Sequence, residues 1–379
     1  MRIGISALQL SNMNSGIGQY IYCLVSALLK QNNFQDHECL IYFSKKSTPQ
    51  EWQGHPKIIT REIPFTKEQA LLRNIFELFL YGNILEREKL SLAWFPDTKA
   101  PLQLSPKIPF VVTVHDLAII RLPHTYQTSR VIYWRKLFKH AVKRAIYIIA
   151  ISQSTKKDLV NLMGINSEKI KVIYNGVADN FKIITDEELL VRVRKKYRLP
   201  EQYLLFVGLF SPRKNIAGLL KAFAILKKKY AIPHKLLMVG EKGWKYKSDL
   251  ALVDSLGIAE EVIFTGYVKN EELPAIYTMA SAFVFPSLYE GFGLPLLESM
   301  ACGTPVVTSN ISAMPEVVGD AGILVEPNEP LGIAEAVYRL ISDKQLAKEL
   351  TSLGFQRVHC FTWEKAAREM ITLFQEIKK

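Results

Sequence analysis

The sequence predicts an α/β protein with two doubly wound domains, each a parallel sheet covered by helices on both faces. Three observations support this fold class. The chain has 379 residues, and single cores rarely grow beyond roughly 250–300 residues, so two domains are expected. Short β-branched runs alternate with helical periodicity from end to end. These runs are continuously apolar, which is typical of parallel strands buried on both faces of a sheet.

The first half of the chain contains seven predicted strands. They lie near Arg2–Ala7, Cys39–Phe43, Ile58–Ile63, Leu92–Phe95, Phe110–His115, Ala145–Ile151 and Ile170–Tyr174. The first helix follows the first strand, and its buried face is indicated by the i, i+3, i+4, i+7 spacing of Ile21, Leu24, Val25 and Leu28.

The second half repeats this alternation with six predicted strands. They lie near Tyr203–Val207, Lys235–Val239, Val262–Thr265, Ala282–Phe285, Pro305–Thr308 and Gly322–Val325. Asp179–Pro200 is charged and has no strand pattern, so the domain boundary is predicted there. We therefore expect domains at residues 1–185 and 186–360, followed by one C-terminal helix at residues 361–379.

Composition excludes several classes of protein. No apolar run approaches the roughly 20 residues of a membrane helix, and the first residues do not resemble a signal peptide. The four cysteines are far apart and have no CxxC spacing, so we expect neither disulfides nor zinc, and a cytoplasmic location. The net charge is +12, of which residues 1–190 carry +8. This basic half predicts an anionic partner: phosphates, nucleic acid or a membrane surface.

The most informative motif is the segment Ser287–Pro305. A strand runs into a loop with two glycines, Gly291 and Gly293, and a helix follows with Pro295 in its first turn and Gly303 at its end. Such a loop lies at the carboxyl edge of a parallel sheet, where ligands bind in open α/β folds. The following helix points free backbone N–H groups at that edge, which suits an anion or a sugar hydroxyl.

Two acids of this motif, Glu290 and Glu298, are eight positions apart. A carboxylate binds vicinal hydroxyls well because each group offers two acceptor oxygens. Alternatively, Glu298 only decorates the first helical turns. The glycines, the proline and the second glutamate together favour a binding site.

A second motif, Val207–Asn215, also joins a strand to a helix, with Asn215 as the expected N-cap. Arg213 and Lys214 would lie at the positive end of that helix, where each cation costs about 0.3–1 kcal/mol. A bound diphosphate would reverse this effect, since arginine binds it bidentately and lysine acts as a point charge. The alternative is a pair of solvated surface cations.

Two weaker signals lie in the first half. Ser15–Gly18 forms a glycine turn at the start of the first helix but lacks the full GxGxxG pattern, so a tight turn and a phosphate contact both stay open. His115 and Asp116 end a strand, which is typical of residues that line a site. A core histidine beside an N-cap aspartate is an equally good interpretation.

These residues resemble glycosyltransferase family 4, the group 1 retaining glycosyltransferases, over nearly the whole chain. The resemblance is carried by Ser15–Gly18, His115-Asp116, Tyr174–Val177, Val207–Asn215, Phe264–Val268, the Glu290/Glu298 pair and Met314–Val317. It implies the GT-B fold: two Rossmann-like domains facing a central cleft, with acceptor binding in the first and nucleotide-sugar binding in the second. The last helix, Trp363–Ile377, would cross back to the first domain. Within the family, the sequence resembles bacterial polysaccharide mannosyl- or rhamnosyltransferases, of which mannosyltransferases are the first choice.

The resemblance also implies roles for individual residues. The expected catalytic residues are His115 near the reacting carbon, Arg213 and Lys214 on the leaving diphosphate, and Glu290 on the donor-sugar hydroxyls. Glu298 would bind the ribose. The remaining donor-binding residues would be Gly16 and Gly18 at the diphosphate, Tyr267 and Val268 at the nucleobase, and Gly208, Asn215, Phe292, Gly293 and Leu294.

The resemblance predicts a retaining transferase that moves a hexose onto a glycan or lipid-linked sugar. GDP-mannose is the first choice of donor and a UDP-hexose the second. No metal or other cofactor is expected, because no DxD-like acid pair follows a strand. The alternatives are a soluble acceptor, a phosphorylase or epimerase on the same fold, and a catalytically inactive relative. A nucleic-acid-binding protein is disfavoured, because the sequence has no aromatic RNA platform and no zinc spacing.

One segment, Arg130–Ala145, predicts attachment to the inner face of a membrane. Its basic residues Arg135, Lys136, Lys139 and Lys143 recur beside Tyr133, Trp134, Leu137 and Phe138. Basic rows flanked by aromatic residues suit an anionic membrane surface. The alternative is the solvated face of an ordinary surface helix. Ala70–Glu86 is a second candidate, or else a core or acceptor-lining helix.

Overall fold

The computed structural model describes residues 1–12, 15–34, 37–44, 49–56, 58–65, 69–241, 243 and 247–378. These residues form two compact units. The first unit comprises residues 1–176 and the segment that begins at Thr362, and the second comprises Val177–Phe361. No helix in the described ranges is long and apolar enough to span a bilayer.

The first unit is built on a parallel sheet of seven strands. In chain order these are β1 (Arg2–Ser6), β2 (Glu38–Ser44), β3 (Ile58–Ile63), β4 (Leu92–Phe95), β5 (Phe110–Val114), β6 (Tyr147–Ala150) and β7 (Ile170–Val172). Their order in the sheet is β3-β2-β1-β4-β5-β6-β7. The strand order therefore changes direction between β1 and β4, and open α/β sheets bind ligands at such a point.

Helices cover this sheet in the order expected of a doubly wound fold. They are α1 (Gly16–Leu29), α2 (Ala70–Phe79), α3 (Tyr81–Arg87), α4 (Ala118–Arg121), α5 (Thr128–Arg144) and α6 (Gln153–Met163). The C-terminal helix, α15 (Trp363–Lys378), also belongs to this unit. Aromatic contacts hold it there: Trp363 lies edge-on to Tyr20 at 5.9 Å, and Phe374 lies 6.3 Å from Trp94.

The second unit has a parallel sheet of six strands. These are β8 (Tyr203–Val207), β9 (Lys235–Val239), β10 (Val262–Gly266), β11 (Ala282–Phe285), β12 (Val306–Ser309) and β13 (Gly322–Val325). The order β10-β9-β8-β11-β12-β13 changes direction between β8 and β11. The loops that follow β8 and β11 therefore lie side by side at the carboxyl edge of the sheet.

Eight helices in the described residues belong to the second unit. They are α7 (Glu187–Tyr197), α8 (Ile216–Tyr230), α9 (Lys247–Ser255), α10 (Leu273–Thr278), α11 (Leu294–Ala301), α12 (Met314–Val318), α13 (Pro330–Ser342) and α14 (Lys344–Val358). β8 and β11 are buried along their whole length. Each fully buried large side chain stabilises the fold by about 1.5–3 kcal/mol.

The predicted fold class, two doubly wound parallel sheets, is confirmed. All thirteen predicted strands are present in the described residues, and no predicted end differs from the observed one by more than two residues. The strand predicted at Ala145–Ile151 begins later, at Tyr147, because Ala145 closes α5 by donating its N–H to the Ala141 carbonyl. Apolar runs therefore located the strands, while hydrogen bonds of the neighbouring helix set this end.

The division between the units lies after Gly176, earlier than the predicted boundary at residue 185. Residues 177–185 pack with the second unit, where the Phe181 ring lies 6.1 Å from that of Tyr277. Gly176 lies against the start of α15, and a Cβ atom there would be 2.3 Å from the Trp363 nitrogen. Long-range packing of this kind has no signal in local composition.

Candidate active site

Asn215 joins the loops at the carboxyl edge of the second sheet. It is the N-cap of α8, as expected, and its side chain accepts a hydrogen bond from the Gly218 N–H at 3.2 Å. Its amide nitrogen donates to the carbonyls of Pro286 (3.0 Å) and Pro327 (2.7 Å). The side chain therefore ties the loop after β8 to the loops that follow β11 and β13.

Arg213 and Lys214 lie in a 3-10 turn, Pro212–Lys214, immediately before α8. Both side chains contact Glu290. Arg213 Nη1 donates to Glu290 Oε2 at 2.5 Å, and Lys214 Nζ lies 2.7 Å from Glu290 Oε1. Each carboxylate oxygen thus faces one cation, and the three residues form a cluster that we call the ion triad.

The ion triad is largely removed from solvent. Glu290 is 6% exposed and Lys214 is 7% exposed. Burial alone raises the pKa of Glu290, yet Arg213 and Lys214 together hold that pKa below its ordinary value. Glu290 is therefore ionised, and the triad carries one net positive charge. The ammonium of Lys214 also lies over the Phe285 ring, 4.4 Å from its centre.

Ser312, which the sequence analysis did not single out, positions the backbone of Glu290. Its hydroxyl accepts a hydrogen bond from the Glu290 N–H at 3.1 Å and donates to the Glu290 carbonyl at 2.5 Å. Ser312 has a positive φ of 59°, which is uncommon for a residue with a side chain. The loop that carries Glu290 is therefore held from both sides, by the cations and by this serine.

Glu298, on α11, is separate from the ion triad and has a different partner. Its Oε2 accepts a hydrogen bond from the Tyr277 hydroxyl at 3.0 Å. Burial raises the pKa of Glu298 to about 7, while Tyr277 and the charge of Lys214 act in the opposite direction. The two glutamates of the motif thus differ in charge near neutral pH. Tyr277 was missed because a tyrosine within an apolar helical run has no distinctive pattern.

The pKa of Glu298 predicts a measurable effect of pH on stability. The pKa is higher in the folded chain (about 7) than its ordinary value of 4.5. The contribution of Glu298 to the free energy of unfolding is therefore complete below pH 4.5 and is lost as pH rises through 7. We expect the free energy of unfolding of the wild type, relative to Glu298→Gln, to fall by about 2 kcal/mol over this range. Urea unfolding at pH 4.5, 6 and 7.5 measures this, and parallel pH profiles would contradict it.

Glycines shape the backbone around the triad. Gly293, the N-cap of α11, has a φ of 104°, and Pro295 lies in the first turn of that helix, as predicted. The Phe292 ring is buried against Phe361 at 5.6 Å, and Leu294 begins α11. The side chain of Phe292 therefore packs in the hydrophobic core, and only its backbone is left for contact with a ligand.

Gly240 is a further residue that the sequence analysis missed. It has a φ of 141°, and a Cβ atom there would lie 2.0 Å from the carbonyl oxygen of Gly208. Gly208 itself has a φ of 155° and donates its N–H to the Val239 carbonyl at 2.9 Å. The loops after β8 and β9 can approach this closely only when position 240 has no side chain.

Tyr267 and Val268, the residues expected at the nucleobase, follow β10. Tyr267 is 43% exposed, whereas Val268 is buried, so only the backbone of Val268 is available to a ligand. Partial burial and the nearby acids Glu271 and Glu241 raise the pKa of Tyr267, so its hydroxyl stays protonated.

In the first unit, His115 lies at the end of β5. Its Nε2 is 2.7 Å from the Pro96 carbonyl, and its ring meets Tyr20 edge-on at 4.7 Å. A carbonyl only accepts, so Nε2 carries the proton and the neutral ring has an acceptor at Nδ1. Burial lowers the pKa of His115, which favours this neutral form. Asp116 is not the expected N-cap, since Leu117 is the N-cap of α4, but it accepts the N–H of Ala118, the first residue of that helix, at 3.0 Å.

The glycine turn begins α1 with Ser15 as its N-cap, whose hydroxyl accepts the Gly18 N–H at 3.0 Å. Neither Gly16 nor Gly18 has a positive φ. Gly16 is exposed, and a Cβ atom there would have no neighbour within 4 Å. The conformation of the turn therefore does not require glycine at position 16.

A charged group that the sequence analysis did not predict lies near His115. Glu77, on the inner face of α2, lies 3.4 Å from Arg73 and 3.7 Å from Lys99. Asp97 accepts the Lys99 N–H at 3.2 Å and directly follows Pro96, the partner of His115. Burial raises the pKa of Glu77 to about 7. The pattern was missed because α2 buries these charged residues beside Phe76 and leaves Leu72, Ile75 and Phe79 exposed.

The predicted membrane-facing segment is only partly as expected. Its four basic residues, Arg135, Lys136, Lys139 and Lys143, are exposed on α5. The expected aromatic flank was wrong: Phe138 lies in the core at 1% exposure, and Trp134 stacks on it at 4.2 Å. The helical period turns these rings towards the sheet while it turns the cations towards solvent. The side chain of Tyr133 lies outside the described residues.

Comparison with known proteins identifies the family. Residues 14–181 match the model described as "Glycosyltransferase Family 4", and residues 192–357 match "Glycosyl transferases group 1". The chain is 33% identical over 266 residues to the O-antigen chain mannosyltransferase B of Escherichia coli, which covers 70% of each chain.

Solved structures share the fold. Sucrose-phosphate synthase from Thermosynechococcus elongatus matches with a TM-score of 0.80 at 23% identity, over 100% of this chain and 99% of that one. Anabaena HepE, solved in complex with UDP and glucose, matches with a TM-score of 0.75 at 19% identity, over 99% of each chain. With two Rossmann-like units of the GT-B fold and both family models matched, this chain belongs to the group 1 glycosyltransferases of family 4.

Proposed function

We propose that this glycosyltransferase moves a hexose, with mannose the first choice, from a nucleoside-diphosphate sugar to a glycan or lipid-linked sugar, with retention of configuration. The observation that carries the proposal is the ion triad, which concentrates two cations at the carboxyl edge of the second sheet, directly before α8. Mannose as the donor sugar is supported by the relative named O-antigen chain mannosyltransferase B. UDP-hexose is the second choice, supported by the UDP and glucose bound to Anabaena HepE.

Departure of the diphosphate is the step that these cations would assist. Negative charge grows on the diphosphate as the bond to the sugar breaks. Cations that are already in position stabilise this charge without reorganisation. Arg213 would engage the diphosphate with two N–H groups and Lys214 as a point charge. We propose that these two residues replace a metal ion, so that transfer needs none.

The two glutamates would bind different hydroxyls of the donor. Glu290 is ionised and would accept hydrogen bonds from the sugar. Glu298, with a pKa of about 7, would bind the ribose and can both accept and donate a hydrogen bond when protonated. Tyr267 would border the nucleobase with its exposed ring. His115, neutral and with Nδ1 as an acceptor, would receive a hydroxyl of the reacting sugar.

We expect a screen of nucleotides to identify the donor. A ligand that binds only the folded chain raises its melting temperature, by an amount that follows its affinity. GDP and GDP-mannose should give the largest shifts among GDP, UDP, ADP and their sugars.

Transfer should continue in excess EDTA, and the product should keep the anomeric configuration of the donor. An inverted product would contradict the retaining mechanism, and activity that EDTA abolishes and magnesium restores would contradict metal independence.

We also propose reversible attachment of the first unit to an anionic membrane. Its support is the exposed basic row of α5 and the exposed apolar residues of α2, namely Leu72, Ile75, Phe79 and the adjacent Leu80. The two helices are joined through Leu102, which donates its N–H to Leu78 of α2 and accepts from Arg144 of α5. Each cation near an anionic surface contributes about 1 kcal/mol.

Sedimentation with vesicles of increasing anionic-lipid content tests this attachment. Replacing Arg135, Lys136, Lys139 and Lys143 by glutamine should reduce vesicle binding at low salt and leave nucleotide binding unchanged. A matched control removes four exposed charges from α7 and α8: Lys195, Lys196, Lys228 and Lys229. If both quadruple variants lose binding equally, net charge and not the α5 row is responsible. If the wild type ignores anionic vesicles, the acceptor surface is not a membrane.

A further inference from the structure

Glu290 occupies the position that an anionic ligand of Arg213 and Lys214 would take. One carboxylate oxygen is 2.5 Å from the guanidinium and the other is 2.7 Å from the ammonium. Both contacts join oppositely charged groups, and hydrogen bonds between such groups are among the strongest in proteins. Arg213 and Lys214 therefore direct N–H groups at a carboxylate of the chain itself.

This arrangement is held in place from outside the triad. Ser312 bonds both the N–H and the carbonyl of Glu290. Arg213 also donates to the Tyr289 carbonyl at 2.9 Å, and its own carbonyl accepts the Leu288 N–H at 2.8 Å. The loop after β11 and the turn before α8 are thus joined at several points, and the carboxylate has little freedom to leave the cations.

We propose that Glu290 is an internal counter-ion that holds Arg213 and Lys214 in place before the donor binds and competes with a diphosphate for them. The proposal rests on the proposed function, because it assumes that the ligand is a nucleoside diphosphate. Glu290 would compete for the cations with the diphosphate of the donor before transfer, and with the nucleoside diphosphate product after transfer. A residue that binds the sugar would thereby also weaken binding of the product and help its release.

The physical basis is a conflict between like charges. A diphosphate that reaches both cations must lie within a few ångströms of the Glu290 carboxylate, and like charges in a site shielded from water repel strongly. Without Glu290 the two cations would lose the carboxylate that neutralises one of their charges, which also favours the bound state. Glu298 should repel the phosphates less, because its carboxyl group lies outside the triad and is hydrogen-bonded to Tyr277.

Titration calorimetry with GDP, UDP and inorganic pyrophosphate tests this competition on the full chain. Glu290→Gln keeps the shape of the side chain and removes its charge. We expect it to bind the preferred nucleoside diphosphate, and pyrophosphate, about tenfold more tightly than the wild type. Transfer of the sugar should nevertheless become slower. Binding of the matching nucleoside, which has no phosphate, should not change.

Glu335→Gln is the matched control, since Glu335 forms an exposed ion pair with Lys229 in the same unit. It should bind all probes as the wild type does. If Glu290→Gln does not fold, Glu290→Ser removes the same charge and should shift affinity in the same direction. Equal or weaker diphosphate binding in the folded variant would overturn the counter-ion role alone. If no nucleoside diphosphate or pyrophosphate binds to the wild type or to the variant, the proposed function is wrong as well.

Discussion

Replacing Arg213 or Lys214 with alanine is expected to slow sugar transfer by about 100-fold, because each change removes a preorganised positive charge from the leaving diphosphate. Loss of one such contact costs roughly 3 kcal/mol in the transition state. The effect should appear mainly in kcat, because charge on the diphosphate grows as the bond breaks. Initial rates with the donor found in the nucleotide screen measure it.

The structure adds an effect on the protein itself. Either alanine variant leaves the buried Glu290 with a single cation, so the pKa of Glu290 should rise and the melting temperature should fall slightly. Arg213→Lys is a useful control, because it keeps the charge but loses the second N–H group directed at the ligand, and should be less impaired. Lys229→Ala, at an exposed ion pair, should retain full activity. Turnover within twofold of the wild type in Arg213→Ala and Lys214→Ala would contradict the role of the cations.

Gly240→Ala is expected to have the largest effect on stability. The new Cβ atom would lie 2.0 Å from the Gly208 oxygen and 2.8 Å from the Gly208 carbon, and both of these are backbone atoms that cannot rotate away. The φ of 141° is also unfavourable for alanine. Overpacking costs about 1–3 kcal/mol and backbone strain a similar amount. We expect a loss of about 4 kcal/mol and a melting temperature about 10 °C lower.

Thermal unfolding followed by circular dichroism measures this loss, and two other glycines provide controls. Gly257 also has a positive φ, 68°, but a Cβ atom there would have no neighbour within 4 Å, so Gly257→Ala should cost only about 1 kcal/mol. Gly16→Ala has neither penalty and should melt as the wild type does. A Gly240→Ala protein that melts within 2 °C of the wild type would show that the loops after β8 and β9 separate easily.

Much of the fold could be predicted because its signals are local. Continuous apolar runs located the strands, and helical spacing located the buried face of α1, since both periodicities follow from backbone geometry. The functional motifs were recognisable for a related reason. Parallel sheets bring the loops at their carboxyl ends to one edge, so Arg213 and Glu290 could be assigned to one site although they are 77 positions apart.

The sequence by itself determined the two parallel sheets, the loops that carry the motifs and the types of residue available for chemistry. Only the tertiary structure decided which of these residues touch. It placed Glu290 between two cations and Glu298 beside Tyr277, so similar side chains have different charges near neutral pH. It also turned Phe138 into the core and required glycine at position 240. The physical reason is that burial and ion pairing depend on distances between residues far apart in the chain, which local patterns do not contain.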